Sequence, residues 1–266
     1  MSGHRDMTDL TVHRFPGRDG LELAYRELGA GRPLVLLHGF TATGPQWIQH
    51  GPAVTLAEHG YRVILPDLRG HGDSAQPHDP ACYPPDVLAE DGLALIEWLG
   101  LADYDLGGYS LGARIVLRML VRGARPARAI VAGQGLDAIT RASERTGQQH
   151  RVLTALVNGD PIQPGSPEEE QAYWISLSGN DPRALSQVLD THVATPRAAL
   201  CRVPTPTLVV VGDQDSGHAC ADVLAATLPN ARFTRVPGDH FTALASPELA
   251  TAIMAFGEDR PHEPTS

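Results

Sequence analysis

Gly108-Tyr109-Ser110-Leu111-Gly112 is the stretch of this chain best suited to nucleophilic chemistry. It fits Gly-x-Ser-x-Gly and lies between an apolar run, Tyr104 to Tyr109, and a helical pattern, Ser110 to Arg122. A serine on such a strand-to-helix turn adopts a strained backbone. The glycines two residues to either side avoid the collisions that side chains would make there. The turn lifts Ser110 out of the sheet at the positive end of the following helix. A serine hydroxyl becomes a good nucleophile only when a base takes its proton, so the chemistry also needs a histidine and a carboxylate to orient it. Both lie downstream. The run Thr207 to Val211 leads into the acidic turn Gly212-Asp213-Gln214-Asp215, and Ala231 to Val236 leads into Pro237-Gly238-Asp239-His240. Parallel strands present their carboxyl ends together, which would bring all three loops to one edge of a sheet.

The elements that must do this positioning are legible in the hydrophobic periodicity. Leu10 to Phe15 and Leu21 to Glu27 flank Pro16-Gly17-Arg18-Asp19-Gly20 and read as a hairpin. Pro33 to Leu37 and Tyr61 to Leu65 are nearly continuous apolar runs, as in strands covered on both faces. Helical patterns follow over Thr43 to His59, Pro84 to Leu99, Ala219 to Leu228 and Pro247 to Phe256, with a further strand at Ala127 to Ala132. Strands alternating with helices imply an α/β fold with a mostly parallel, doubly wound sheet and an antiparallel start. Between Gly133 and Val203, roughly 70 residues contain no strand pattern, far more than the usual connection. Leu136 to Val157, Pro167 to Ser178 and Asp181 to His192 look helical there, and Asp181-Pro182 is a good helix start. This reads as an inserted helical cap over residues 136–200, with the core in residues 10–135 and 201–257. Residues 1–9 and 258–266 are expected to be disordered tails.

Composition narrows the chemistry. The 266 residues include 21 basic and 31 acidic side chains, a net charge of −10, which argues against nucleic acid or an anionic membrane surface as partner. All 21 basic residues are arginine, so Schiff-base, Walker-lysine and Ser-Lys mechanisms are excluded. Cys82, Cys201 and Cys220 are odd in number and widely spaced, which suits reduced thiols in the cytoplasm better than a disulfide framework. No run approaches the roughly 18 apolar residues of a membrane span. His71, His78 and His218 lie in Gly-, Pro- and Asp-rich loops and read as solvated, with no metal-binding spacing. Arg114, Arg118 and Arg122 recur every four residues, most simply as a solvated stripe on one helix face. His38 reads as a hydrogen-bonded loop anchor. Trp47, Tyr173, Trp174 and Phe241 are candidates for a pocket wall.

From Leu10 to Phe256 the chain resembles the α/β-hydrolase fold superfamily with a helical cap. His38-Gly39-Phe40 resembles that family's His-Gly turn after the third strand. Asp67-Leu68-Arg69-Gly70-His71-Gly72-Asp73-Ser74 resembles its structural Asp-x-Arg-Gly-x-Gly-x-Ser loop. The elbow and the terminal Gly-x-x-Asp and His segments complete the match, in the order Ser, Asp, His. The resemblance implies Ser110 as nucleophile, His240 as general base and Asp215 as the orienting acid, preferred to Asp213 because the family's acid stands three residues after the glycine. It implies backbone N–H groups of Phe40 and Leu111 as the oxyanion hole, and no cofactor. Asp239 departs from the usual glycine before the histidine, and a second carboxylate there could act on His240 or point to solvent.

The expected activity is a serine hydrolase cleaving small carboxylic esters, thioesters or lactones through an acyl-enzyme on Ser110. Arg114, one turn beyond Ser110, resembles the arginine that holds a substrate carboxylate in the menaquinone-pathway lyases of this superfamily. It supports a second reading as lyase or C–C bond hydrolase. A third reading is a ligand receptor with slow turnover, and a cofactor-free perhydrolase activity would use the same three residues. Serine at position 110 excludes the aspartate-nucleophile dehalogenases and epoxide hydrolases.

Overall fold

The apolar runs pair into one sheet of eight strands: β1 (His13–Pro16), β2 (Glu22–Gly29), β3 (Arg32–Leu37), β4 (Tyr61–Asp67), β5 (Asp105–Tyr109), β6 (Arg128–Ala132), β7 (Thr207–Gly212) and β8 (Ala231–Val236). A computed structural model describes residues 10–141 and 144–258 of the chain. The strand order is β1-β2-β4-β3-β5-β6-β7-β8. β1, β2 and β4 pair antiparallel, and every other neighbour is parallel. The doubly wound sheet with an antiparallel start is therefore the observed architecture.

Alternation along each strand divides the core in two. Val35 and Leu37 of β3, Ala129 and Val131 of β6, and Val209 and Val211 of β7 face α3 (Val87–Trp98), α4 (Leu111–Val121) and α10 (Ala221–Thr227). Leu34, Leu36, Ile130, Ala132, Leu208 and Val210 face the other way, against α2 (Ala53–Glu58) and α11 (Pro247–Glu258). Burying each valine, leucine or isoleucine among them on folding stabilises the domain by about 1.5–3 kcal/mol before chain entropy is counted.

The crossover expected as one helix over Thr43 to His59 is broken into α1 (Gln46–Gln49) and α2, because Gly51 and Pro52 intervene and proline has no N–H to continue the ladder. Likewise the pattern from Leu136 to Val157 becomes α5 (Leu136–Thr140) and α6 (Glu144–Asn158), with Arg141 extended. Then come α7 (Pro167–Ser178), α8 (Pro182–Asp190) and α9 (Arg197–Leu200). Ser166 accepts from the Glu169 N–H and Asp181 from the Arg183 N–H, so both proline-started helices carry side-chain caps. Val152, Leu153, Ala172, Ile175 and Leu185 form a small core of their own, with Phe40 packed against it. Residues 1–9 and 259–266, the expected tails, lie outside the described residues, and Glu258 closes the last helix.

The segment Asp67 to Ser74 is knotted to its surroundings. Asp67 accepts from the N–H groups of Gly44 (2.7 Å) and Asp73 (3.0 Å) and pairs with Arg26. Arg69, fully buried, joins Asp91 to Asp19. No described helix is long and apolar enough to cross a membrane.

Candidate active site

Ser110 sits between β5 and α4 with φ 54° and ψ −112°, a left-handed backbone that only Asp86 shares among the described non-glycine residues. The turn leaves no room beside it. A Cβ on Gly112 would lie 2.1 Å from the Leu37 carbonyl oxygen, and one on Gly108 would lie 2.3 Å from the Gly112 carbonyl carbon. The Ser110 N–H donates to the Ala132 carbonyl (2.9 Å), which ties the elbow to β6.

β7 and β8 end beside it, and their loops are laced together. The Asp213 N–H donates to the Val236 carbonyl (2.8 Å), the Gln214 N–H to the Gly238 carbonyl (3.0 Å), and the Gly238 N–H to Asp213 Oδ1 (3.0 Å). Asp213 is thus an exposed turn residue with a structural bond, while Asp215 turns inward and is buried. His240 Nδ1 lies 2.8 Å from Asp215 Oδ2, and His240 Nε2 lies 3.0 Å from Ser110 Oγ. An ionised carboxylate only accepts, so the Nδ1 carries the proton and the Nε2 lone pair faces the hydroxyl. Burial opposes the charge on Asp215, but hydrogen bonds from His218 and His240 outweigh it and hold the carboxyl well below its ordinary range.

Two backbone donors close to the elbow are left without acceptors among the described residues. Leu111 is the first residue of α4, so its N–H has no partner within the helix, and no acceptor among the described residues takes the Phe40 N–H. The Phe40 turn is pinned from below. The Leu68 N–H donates to His38 Nε2 (3.0 Å), His38 Nδ1 donates to the Gly39 carbonyl (2.8 Å), and His71 Nε2 lies 2.6 Å from the Phe40 carbonyl. His38 is the anchor its sequence position suggested. His71 is a correction: it is completely buried beside His38, and burial lowers the pKa of both rings.

The larger correction is His218. It is not a solvated loop residue: it is buried, with Nδ1 3.0 and 3.1 Å from the two oxygens of Asp215 and its ring stacked on His240 at 4.6 Å and 22°. The cause is a 3₁₀ turn over Ser216–His218, in which side chains three apart eclipse and His218 folds back over Asp215. Asp215, His218 and His240 each bring a ligand atom within 4.8 Å of the others, a donor set that also suits a divalent metal. Here those atoms are joined by N–H···carboxylate bonds, and a metal would have to displace both Nδ1 protons. Tyr109, inside the elbow motif, is a second residue that sequence reasoning missed: its hydroxyl donates to the His240 carbonyl (2.8 Å) and ties down the backbone there.

Asp239 does not reach His240. Its Oδ1 accepts from the N–H groups of Phe241 (2.9 Å) and Thr242 (2.8 Å) and from the Thr242 hydroxyl (2.7 Å). Trp47 is no pocket wall, being buried with Leu34, Leu36 and Leu65 under the sheet. Tyr173, Trp174 and Phe241 are exposed. Phe241 stands edge-on to His240 at 5.6 Å, Trp174 stacks on Phe241 at 6.2 Å, and Tyr173 meets Trp174 at 5.6 Å, so an aromatic rim leads away from the base. The arginine stripe is solvated only at its far end, where Arg122 is exposed; Arg114 and Arg118 are half-buried. Arg118 and Arg122 pair with Asp86, and Arg122 with Glu90. Arg114 donates to the Ala138 carbonyl, its Nε is buried without a partner, and burial lowers its pKa to about 10.

Comparison with known proteins gives a consistent picture. Residues 32–144 match the family model described as the alpha/beta hydrolase fold. The chain is 28% identical over 245 residues to a Synechocystis sp. protein named as a non-heme chloroperoxidase, covering 82% of this chain and 87% of that one. It is 28% identical over 220 residues to a 2-hydroxymuconate semialdehyde hydrolase of Pseudomonas sp., covering 74% and 75%. Its fold resembles that of a thermophilic esterase from Thermogutta terrifontis with malate bound, with a TM-score of 0.75 and 23% identity over 92% of this chain and 97% of the other.

Proposed function

We propose that this chain, which belongs to the α/β-hydrolase fold superfamily, is a serine hydrolase that cleaves small carboxylic esters, thioesters or lactones through an acyl-enzyme on Ser110. The observation that carries the proposal is the unbroken line from Ser110 Oγ to His240 Nε2 and from His240 Nδ1 to Asp215. His240 takes the hydroxyl proton as Ser110 attacks the acyl carbon, and Asp215 stabilises the imidazolium that forms. The tetrahedral oxyanion accepts from the Phe40 and Leu111 N–H groups, each contributing about 3–4 kcal/mol. As the intermediate collapses, His240 gives its proton to the leaving group, and the same ring then activates the water that frees the acid. The helices of residues 136–200 serve as a cap, and Tyr173, Trp174 and Phe241 receive the apolar part of the substrate. The three cysteines, free of disulfides, suit a cytoplasmic setting. The test is a panel of chromogenic esters of increasing acyl length. Ser110→Ala should lower kcat by about 10³-fold or more, and unchanged turnover would overturn the proposal.

One observation favours a second reading, C–C bond hydrolysis or a lyase reaction on an acidic substrate. Arg114 is a largely buried cation with no carboxylate partner among the described residues, and a substrate carboxylate would neutralise it. Under this reading Arg114→Ala raises KM for acidic substrates while sparing neutral esters. An equal effect on both removes it.

A further inference from the structure

We propose that His218 is a positioning residue for the reaction assigned to Ser110, acting through Asp215: it fixes the carboxylate and backs the ring of His240. The inference rests on that reading of Ser110 and goes beyond it. A carboxylate offers two oxygens and about four acceptor sites, of which the His240 Nδ1–H fills one. Left so, Asp215 could turn about its terminal torsion, which is broad and roughly two-fold for aspartate, and exchange the oxygen it offers to His240. The His218 Nδ1–H stands nearly equidistant from both oxygens, at 3.0 and 3.1 Å, and closes off that turn. His218 is itself held, since its own N–H donates to the Asp215 carbonyl (3.2 Å) across the 3₁₀ turn. Its ring lies against His240 at 4.6 Å and nearly parallel, while Tyr109 meets His240 at 5.6 Å and Phe241 meets it edge-on. His240 therefore cannot swing away from Ser110 on that side without displacing His218. Asp215 and His218 are both buried, so solvent does not substitute for either bond.

The role assigned to the Nδ1–H is separable from that of the ring. Asparagine places its amide nitrogen as many bonds from the backbone as the imidazole Nδ1, so His218→Asn keeps the donor and gives up most of the stack. His218→Phe keeps a ring and gives up the donor. With a chromogenic ester, His218→Phe and His218→Ala should lower kcat about 10- to 100-fold, the range seen when groups that orient a reacting residue are removed, with KM changed less than two-fold. His218→Asn should recover kcat to within about three-fold of wild type, a donor rescue that hydrogen bonding to a charged group leads one to expect. Placed on Asp215→Asn, His218→Ala should lower kcat no further, because the group it acts through is gone. The proposal is overturned if His218→Phe turns over like wild type, if His218→Asn is no better than His218→Phe, or if the loss persists undiminished in Asp215→Asn. Should His218→Ala fail to fold, the asparagine and phenylalanine variants decide the matter alone. Full turnover by Ser110→Ala would instead remove the reading of Ser110 and leave the Asp215 to His218 contact to be measured by itself.

Discussion

Asp91 and Asp215 are both buried carboxylates near one end of the sheet, yet they are matched to different partners. Asp91 faces Arg69, which grips it through Nε and Nη2 at 2.9 Å each and also reaches Asp19 and the Cys82 carbonyl. Asp215 faces two imidazoles and, among the described residues, pairs with no arginine. A guanidinium keeps its charge at every working pH, so the Asp91 cluster is a fixed brace. An imidazole can gain and lose a proton near neutrality, and a carboxylate beside it can stabilise the charge when it appears. A chain without lysine thus uses arginine where a bond must hold and histidine where a proton must move.

The contrast can be broken by exchanging one carboxylate at a time. Asp215→Asn is expected to lower kcat by about 10⁴-fold, because the amide favours the wrong tautomer of His240, and also to lower Tm as the charged bonds to His218 and His240 are lost. A loss below ten-fold would make Asp215 a brace like Asp91. Asp91→Ala should act on stability alone, costing about 3 kcal/mol by taking from the buried Arg69 its buried carboxylate and leaving it only the exposed carboxylate of Asp19, read from denaturant unfolding, while the folded fraction keeps its turnover. The imidazoles supply the next test. His38, His71 and His192 are held neutral by burial, His192 down to about 4. A base with a depressed folded pKa binds its proton more readily in the unfolded chain, so stability is intact above about 6.5 and falls as pH drops toward the folded value. His192 alone should cost about 1 kcal/mol between pH 6.5 and 5.5, with His38 and His71 acting in the same direction, and a flat unfolding midpoint over that interval would contradict their burial. Asp215 contributes in the opposite window. Its stabilisation is complete above the ordinary carboxyl range and is lost only as pH falls through its depressed value. Smallest of all, Asp239→Ala should cost about 1 kcal/mol, as loss of a side-chain turn cap does, and change kcat less than three-fold.

What could be read from the residues themselves follows a physical division. Ser110 was legible because the tight turn shows as a glycine on either side of it: Gly108 is demanded by the backbone of Gly112 and Ala113, and Gly112 by the backbone of Leu37 and His38 on the neighbouring strand's end. The strands were legible because both faces are apolar, and α8 began where Asp181 and Pro182 said it would. His218 was not legible, because Asp-Ser-Gly-His has the composition of a solvated loop, and only the 3₁₀ turn brings its ring over Asp215. The three-residue interval to Asp215 was the available signal. His71 and Trp47 were misjudged for a related reason: burial of a polar or amphipathic ring depends on what other parts of the chain lay over it. Asp239 looked like a neighbour of the base until its three local donors were counted.

The stack of Trp174 on Phe241 joins α7 to the loop that carries His240. Parting these two rings would change the surroundings of an indole that is about half exposed, at 48%. Trp47 is sealed beneath the sheet and Trp98 lies on the surface of α3, so neither should respond. The intrinsic fluorescence of Trp174 is thereby an optical gauge of this contact, readable without any attached label.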